Sequence, residues 1–144
     1  MAENENIQIA HQQIAALNAR DLDRYLQRID SSYVGESETL PAPVHGPEGV
    51  RQMLTMMFTA FPDLRFEVEQ ILASGDHVVA RLRITGTQQG SFLGIAPTNK
   101  QVSWQACNVV ELRDGKAIRG RLYSDNVSLF RQLGVLALPK ATTA

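Results

Sequence analysis

A chain of 144 residues that is 44% hydrophobic and 20% charged, with a formal net charge of -1, is long enough for one domain with a real core and has no basic excess to draw it to nucleic acid or an anionic membrane. The single cysteine, Cys107, excludes an internal disulfide and a multi-thiolate zinc site. The start Met-Ala-Glu-Asn-Glu-Asn lacks the basic region and apolar run of a secretory signal, and no segment has the length of a bilayer span, so a cytoplasmic protein is expected.

Ile7, Ala10, Ile14 and Leu17 recur at helical spacing and predict a first helix over 7–18. After Ala19-Arg20 a second helix starts at Asp21 and carries Leu22, Tyr25, Leu26 and Ile29. From Asp30 to Pro47 no period is visible, and Pro41, Pro43 and Gly46-Pro47 suggest a loop. Pro47 suits the first turn of a third helix whose apolar face is Val50, Met53, Leu54, Met57, Phe58 and Phe61, and Pro62 ends it.

Beyond Pro62 the pattern alternates, which marks strands. Leu64–Ala73 places Phe66 and Val68 on one face, and Gly75-Asp76 turns the chain back. His77–Gln89 turns Val78, Ala80, Leu82 and Ile84 inward, and by the same parity Gln88. Gly90–Lys100 is a loop with Phe92, Leu93 and Ile95, apolar enough to fold over something. Gln101–Arg113 shares one face among Val102, Trp104, Ala106, Asn108, Val110 and Leu112, and Asp114-Gly115 signals a two-residue hairpin into a strand over Lys116–Asp125. In that strand Arg119, Arg121, Tyr123 and Asp125 point one way, and Ile118, Gly120, Leu122 and Ser124 the other. Asp125 or Asn126 can cap a helix over Val127–Leu133 that stops at Gly134, so Asp125 is either a cap or a group held at the rim of a cavity. A frayed tail is expected after about residue 138.

Helices followed by consecutive antiparallel strands make a single α+β domain, in which a curved sheet wrapped around the N-terminal helices encloses a cone-shaped hollow. The stretches Gly46-Pro47-Glu48-Gly49-Val50, Ala60-Phe61-Pro62-Asp63-Leu64-Arg65-Phe66, Gly86-Thr87, Gly94-Ile95-Ala96-Pro97-Thr98, Asp114-Gly115-Lys116 and Asp125 with Leu129-Phe130-Arg131-Gln132-Leu133-Gly134 resemble the SnoaL-like polyketide cyclase family, within the nuclear-transport-factor-2-like, or cystatin-like, superfamily. The resemblance runs from about Ile7 to Gly134. It implies a homodimer with a deep apolar pocket, an acid/base aspartate at Asp125, and ring closure of a polyketide ester by an intramolecular aldol step with no metal or organic cofactor. Members often carry Glu-His-Trp at Arg119-Gly120-Arg121, an acid or histidine at Asn108 and a histidine at Gln88, so this pocket is expected to hold fewer titratable groups.

Taking a proton from carbon beside a carbonyl needs a base near that carbon and a donor near the developing enolate oxygen. Parity and position put Asp125 alone among the carboxylates on the inner face, with Tyr123 beside it; burial beside Trp104, Phe92, Met53 and Val110 would push its carboxyl up, and Arg121, if it also points inward, would oppose the shift. Tyr123 or Asn108 could polarise the carbonyl, though Tyr123 also fits a core tyrosine. An amide in an apolar strand face is costly unless bonded, which favours a pocket role for Asn108. Trp104 and Tyr33 serve as aromatic walls, Met53 and Met57 as adaptable ones, and Gln88 as a further polar contact. His11, His45 and His77 lack metal-site spacing, and Cys107 faces outward without a basic partner. Three readings remain: a cofactor-independent cyclase or isomerase on an apolar carbonyl compound, a cofactor-free hydroxylase of an aromatic polyketide, and a non-catalytic binding or dimerisation module.

Overall fold

The structure is a computed structural model that describes residues 2–137 and 139. The expected tail therefore lies, Pro139 apart, outside the described residues. Helix α1 spans Ala2–Asn18, longer than the apolar stripe alone indicates, with Glu3 and Glu5 favourably placed in its first turn. Asp21 caps α2 (Leu22–Leu26) by accepting from the Arg24 backbone N–H at 3.1 Å. That helix stops earlier than expected, because Ile29 already belongs to a strand.

The stretch expected to be a loop instead forms β1 (Ile29–Ser37) and the short β2 (Val44–His45). The residues β1 turns inward, Ile29, Tyr33, Gly35 and Ser37, are too mixed to show an apolar alternation, and the strand is held by its ladder to a distant partner. Helix α3 covers Gly46–Ala60 with proline in its first turn and buries Val50, Leu54 and Ala60. The remaining strands fall close to their expected places: β3 (Arg65–Ser74), β4 (His77–Thr87), β5 (Gln101–Arg113) and β6 (Lys116–Ser124), followed by α4 (Asn126–Leu133).

One six-stranded curved sheet results, in the order β2-β1-β6-β5-β4-β3. All neighbours are antiparallel except β1 and β6, which run parallel, so the sheet is mixed where a purely antiparallel one of about four long strands was expected. Val78, Ala80, Leu82 and Ile84 of β4 and Val102, Trp104 and Ala106 of β5 are buried on its concave side beneath the helices. The α+β cone read from the sequence is the fold observed.

The Asp114-Gly115 hairpin forms as expected, both residues taking positive φ (51° and 76°) as a two-residue turn of this hand requires. One turn later the ladder slips. Leu112 faces Ala117 but Glu111 faces Arg119, which leaves Ile118 as an extra residue on β6. An unbroken ladder would set Asn108 opposite Arg121 and Ala106 opposite Tyr123; with the bulge, Asn108 faces Leu122 and Ala106 faces Ser124. Gly120, Leu122 and Ser124 are therefore the inward residues. The expected inner placement of Arg121, Tyr123 and Asp125 is corrected by this single inserted residue.

Candidate functional site

Between the concave face and helices α1, α2 and α3 lies a cavity of about 210 Å³. Its walls are apolar, with Met53 and Met57 from α3, Phe92 from the loop after β4, and Val78, Trp104 and Leu122 from the sheet. Phe61, 0% exposed, fixes two of these walls, its ring 5.2 Å from Phe92 in an edge-on contact and 5.7 Å from Trp104. One end of the cavity meets Ile9, Arg28 and Ala117, where the Arg28 guanidinium donates to the Gly115 carbonyl at 3.1 Å. The other end is bordered by Ser37, Thr39, Ser124 and Asn126, with the Asn126 amide donating to the Thr39 hydroxyl at 2.9 Å.

Few polar groups interrupt this lining. Asn108 stands mid-strand on β5, between Ala80 of β4 and Leu122 of β6, and its amide makes no protein hydrogen bond among the described residues. The Tyr33 and Tyr25 hydroxyls and the Trp104 indole N–H also lack a protein partner among the described residues. Since every sealed side-chain polar atom among the described residues has a partner, these groups face the open volume of the cavity. Burial pushes the Tyr25 hydroxyl well above the ordinary phenol range, with the neighbouring Tyr33 adding to the shift, and burial likewise pushes Tyr33 up. Both stay neutral donors.

Tyr33 has a built seat. Gly35, two residues along β1, pairs with Gly120 of β6, and the tyrosine ring lies over both: a Cβ at Gly35 would come within 2.8 Å of the Tyr33 hydroxyl, and one at Gly120 closer still. Neither position has room for a side chain while Tyr33 keeps its place.

Of the residues singled out from sequence, Asn108, Trp104, Tyr33, Phe92, Met53 and Met57 are brought together around the cavity. The others are not. Asp125 is exposed and caps α4, its carboxylate accepting from the Ser128 backbone N–H at 3.0 Å. Tyr123 is 50% exposed on the convex face, with the Arg121 guanidinium 5.1 Å from its ring centre; Arg121 also donates to Glu36 at 3.4 Å. Gln88 does point inward and is 0% exposed, but it is fully engaged. Its amide nitrogen donates to the carbonyls of Gly90, Ile95 and Ala96, and its oxygen accepts from the Thr98 backbone N–H and hydroxyl, so it pins the loop that carries Phe92. Among the described residues no carboxylate side chain is directed into the cavity: Glu36, whose chain borders it, turns to Arg121 on the other face.

Sequence reasoning missed Tyr25, which sits at helical spacing with Leu22 and Leu26 and reads as core, and the glycine pair under Tyr33, whose signal is split across two distant strands. His11, His45 and His77 are exposed, and no cluster of three or more His, Cys, Asp or Glu able to hold a metal occurs among the described residues. Nor is any helix among them long and apolar enough to cross a membrane.

Comparison with known proteins agrees with the fold. A family model described as SnoaL-like polyketide cyclase matches residues 7–133. The chain is 28% identical to nogalonic acid methyl ester cyclase of Streptomyces nogalater, over 84% of this chain and 91% of the relative. It is 25% identical to aklanonic acid methyl ester cyclase DnrD of Streptomyces peucetius, over 89% and 90%. Among solved structures, AclR of Streptomyces galilaeus, a candidate hydroxylase, superposes with a TM-score of 0.84 at 30% identity, covering 96% of this chain and 91% of that one.

Proposed function

Because the chain belongs to the SnoaL-like polyketide cyclase family, we propose that it is a cofactor-independent cyclase that holds an apolar polyketide carbonyl compound in the interior cavity and promotes intramolecular aldol ring closure. The observation that carries this reading is Asn108, an amide on the wall of an apolar cavity with no protein hydrogen bond among the described residues and its polar atoms open to the hollow. A ligand carbonyl supplies the missing partner. The amide N–H then polarises the carbonyl under attack, and a dry surrounding strengthens the bond.

In the step itself, an activated carbon between two carbonyl groups loses a proton, its enolate carbon bonds to a second carbonyl carbon of the same molecule, and the new alkoxide takes up a proton. The product is an isomer of the substrate. With no carboxylate side chain directed inward among the described residues, the displaced proton leaves to solvent at the end lined by Ser37, Thr39, Ser124 and Asn126. Asp125, committed to its helix, is not assigned the acid/base role that the family resemblance implies. A homodimer is the working unit on the same resemblance, covering the convex face on which Leu72 and Tyr123 are 54% and 50% exposed; a monomeric mass by light scattering would rule that out.

The test is turnover of aklanonic acid methyl ester and nogalonic acid methyl ester, followed by chromatography with mass detection in air and without dioxygen. A product of unchanged mass, formed equally in both atmospheres and reduced at least about tenfold in Asn108→Leu, is expected. A product one oxygen heavier that needs dioxygen would replace this reading with hydroxylation, which the likeness to AclR makes the second choice. If neither ester is converted nor shifts the melting temperature, the cyclase reading fails.

A further inference from the structure

The Tyr33 side chain leaves β1 and lies across Gly35 of its own strand and Gly120 of β6, with its hydroxyl against the place that a Cβ at Gly120 would take. Gly120 is an inward residue of β6 and lines the cavity, so the hydroxyl is held at the cavity wall, where it has no protein partner among the described residues. The β5–β6 ladder then fixes where this group stands relative to Asn108, the other unpartnered group of the same wall. Gly120 pairs with Val110, and Leu122 pairs with Asn108. The hydroxyl and the amide therefore occupy diagonal positions on one face of neighbouring strands, whose backbones are about 7–8 Å apart along that diagonal. The two other corners, Val110 and Leu122, carry nothing that hydrogen-bonds. Tyr33, wedged over two backbones, has no freedom to swing toward Asn108, so an oxygen seated at one group is offset from the other.

We propose that the Tyr33 hydroxyl is a second ligand contact, which holds an oxygen other than the one at Asn108 and so decides which way round a ligand with several oxygens lies in the cavity. This rests on the reading of the cavity as a site for polyketide-like carbonyl compounds, and it narrows the ligand to one whose oxygens are spaced across a ring, not confined to one end. A polyketide carries several carbonyl groups, and a contact at Asn108 alone does not tell them apart. Two fixed contacts do, because a ligand seated the wrong way round leaves a polar group of the wall without a partner in a dry site. Burial pushes the Tyr33 phenol above its ordinary range, so it meets a neutral ligand oxygen as a hydroxyl that can donate. Gly35 and Gly120 are positioning residues for that hydroxyl, since a side chain at either would displace the ring.

A tyrosine that merely covers two glycines needs its ring and not its hydroxyl, and the two roles separate in a binding series. The single tryptophan, Trp104, borders the cavity, so its fluorescence reports each titration without a label. The probes are 9,10-anthraquinone, with two oxygens on opposite edges of its central ring, and anthracene, the same ring system with none. Tyr33→Phe and Asn108→Leu are each expected to weaken anthraquinone binding about tenfold while keeping the melting temperature and leaving anthracene bound at least as tightly as by wild type. In the double variant the two losses should multiply, because each group has its own oxygen. A double-variant loss no larger than either single one means one shared oxygen and would overturn the second contact. Unchanged anthraquinone affinity in Tyr33→Phe, or an equal loss for anthracene, would overturn it too. In all three cases ligand still enters and the cavity reading stands, whereas binding of neither probe to wild type would overturn both.

Discussion

At Asp125 the side chain accepts the Ser128 backbone N–H in open solvent, one residue away from Ser124 and Asn126, whose atoms border the cavity. Asparagine caps helices about as well as aspartate, so Asp125→Asn should leave stability nearly unchanged, whereas Asp125→Ala should cost ~1 kcal/mol. Turnover per folded molecule should stay within about threefold of wild type in both, a change worth well under 1.4 kcal/mol of barrier. Denaturant midpoints together with steady-state rates check this, and a collapse of turnover in the asparagine variant at normal stability would return the carboxylate to the chemistry. Residue by residue, the sequence is most readable where a side chain contradicts its surroundings. Asn108 interrupts an apolar alternation, and that conflict has a use in the cavity. Tyr25 contradicts nothing in its helix, so only the packed structure separates its hydroxyl from an ordinary core position.

Among the elements, the loop after β4 depends on one glutamine. Gln88 lies where β4 has run out, its backbone N–H bonded to the Lys100 carbonyl and its own carbonyl to the Asn99 N–H, while its amide satisfies three loop carbonyls. Gln88→Leu strips those carbonyls of their donor at a site without water access, each loss costing about 1–3 kcal/mol. The variant is expected to be destabilised by roughly 3 kcal/mol or more and to bind cavity ligands more weakly, because Phe92 loses its anchor; urea unfolding and a ligand titration measure the two effects. Alternation gave the correct inward direction for Gln88 but not its task, since parity says which way a side chain points and nothing about what it meets. The hairpin shows the same limit. Asp114-Gly115 announces the turn, but a bulge has no residue signature comparable to the turn's, and β6 takes its register from whether Ile118 pairs or steps aside. Strand β1 was illegible for a related reason: its inner residues serve Tyr33's seat rather than an apolar stripe.

Across the whole molecule, titration acts on stability from both sides. At Asp63 burial pushes the carboxyl up, but the Thr87 backbone N–H at 2.6 Å, the Thr87 hydroxyl at 2.8 Å and the nearby Arg20 outweigh it and hold the group below the usual carboxylate range. A depressed value means that its contribution is full above ~3.9 and lost as pH falls through the folded value. Tyr25 and Tyr33 behave in the opposite sense. Their raised values mean stability is fully present below ~10 and lost as pH climbs from there through the folded values. Alkaline unfolding should therefore be cooperative, with phenolate absorbance from these two tyrosines rising together with loss of structure, and a Tyr25→Phe/Tyr33→Phe double variant should show a flatter stability profile above pH ~10. Spectrophotometric titration beside circular dichroism measures both; phenolate signal from these residues at ordinary pH with the fold intact would contradict their burial. The bulge has one more consequence. Had Ile118 paired with Glu111 instead of stepping aside, the remainder of its strand would roll over, and the lumen would exchange Leu122 and Ser124 for Arg121 and Tyr123. In this architecture one residue's step out of the ladder, with no substitution anywhere, separates a greasy interior from a cationic one.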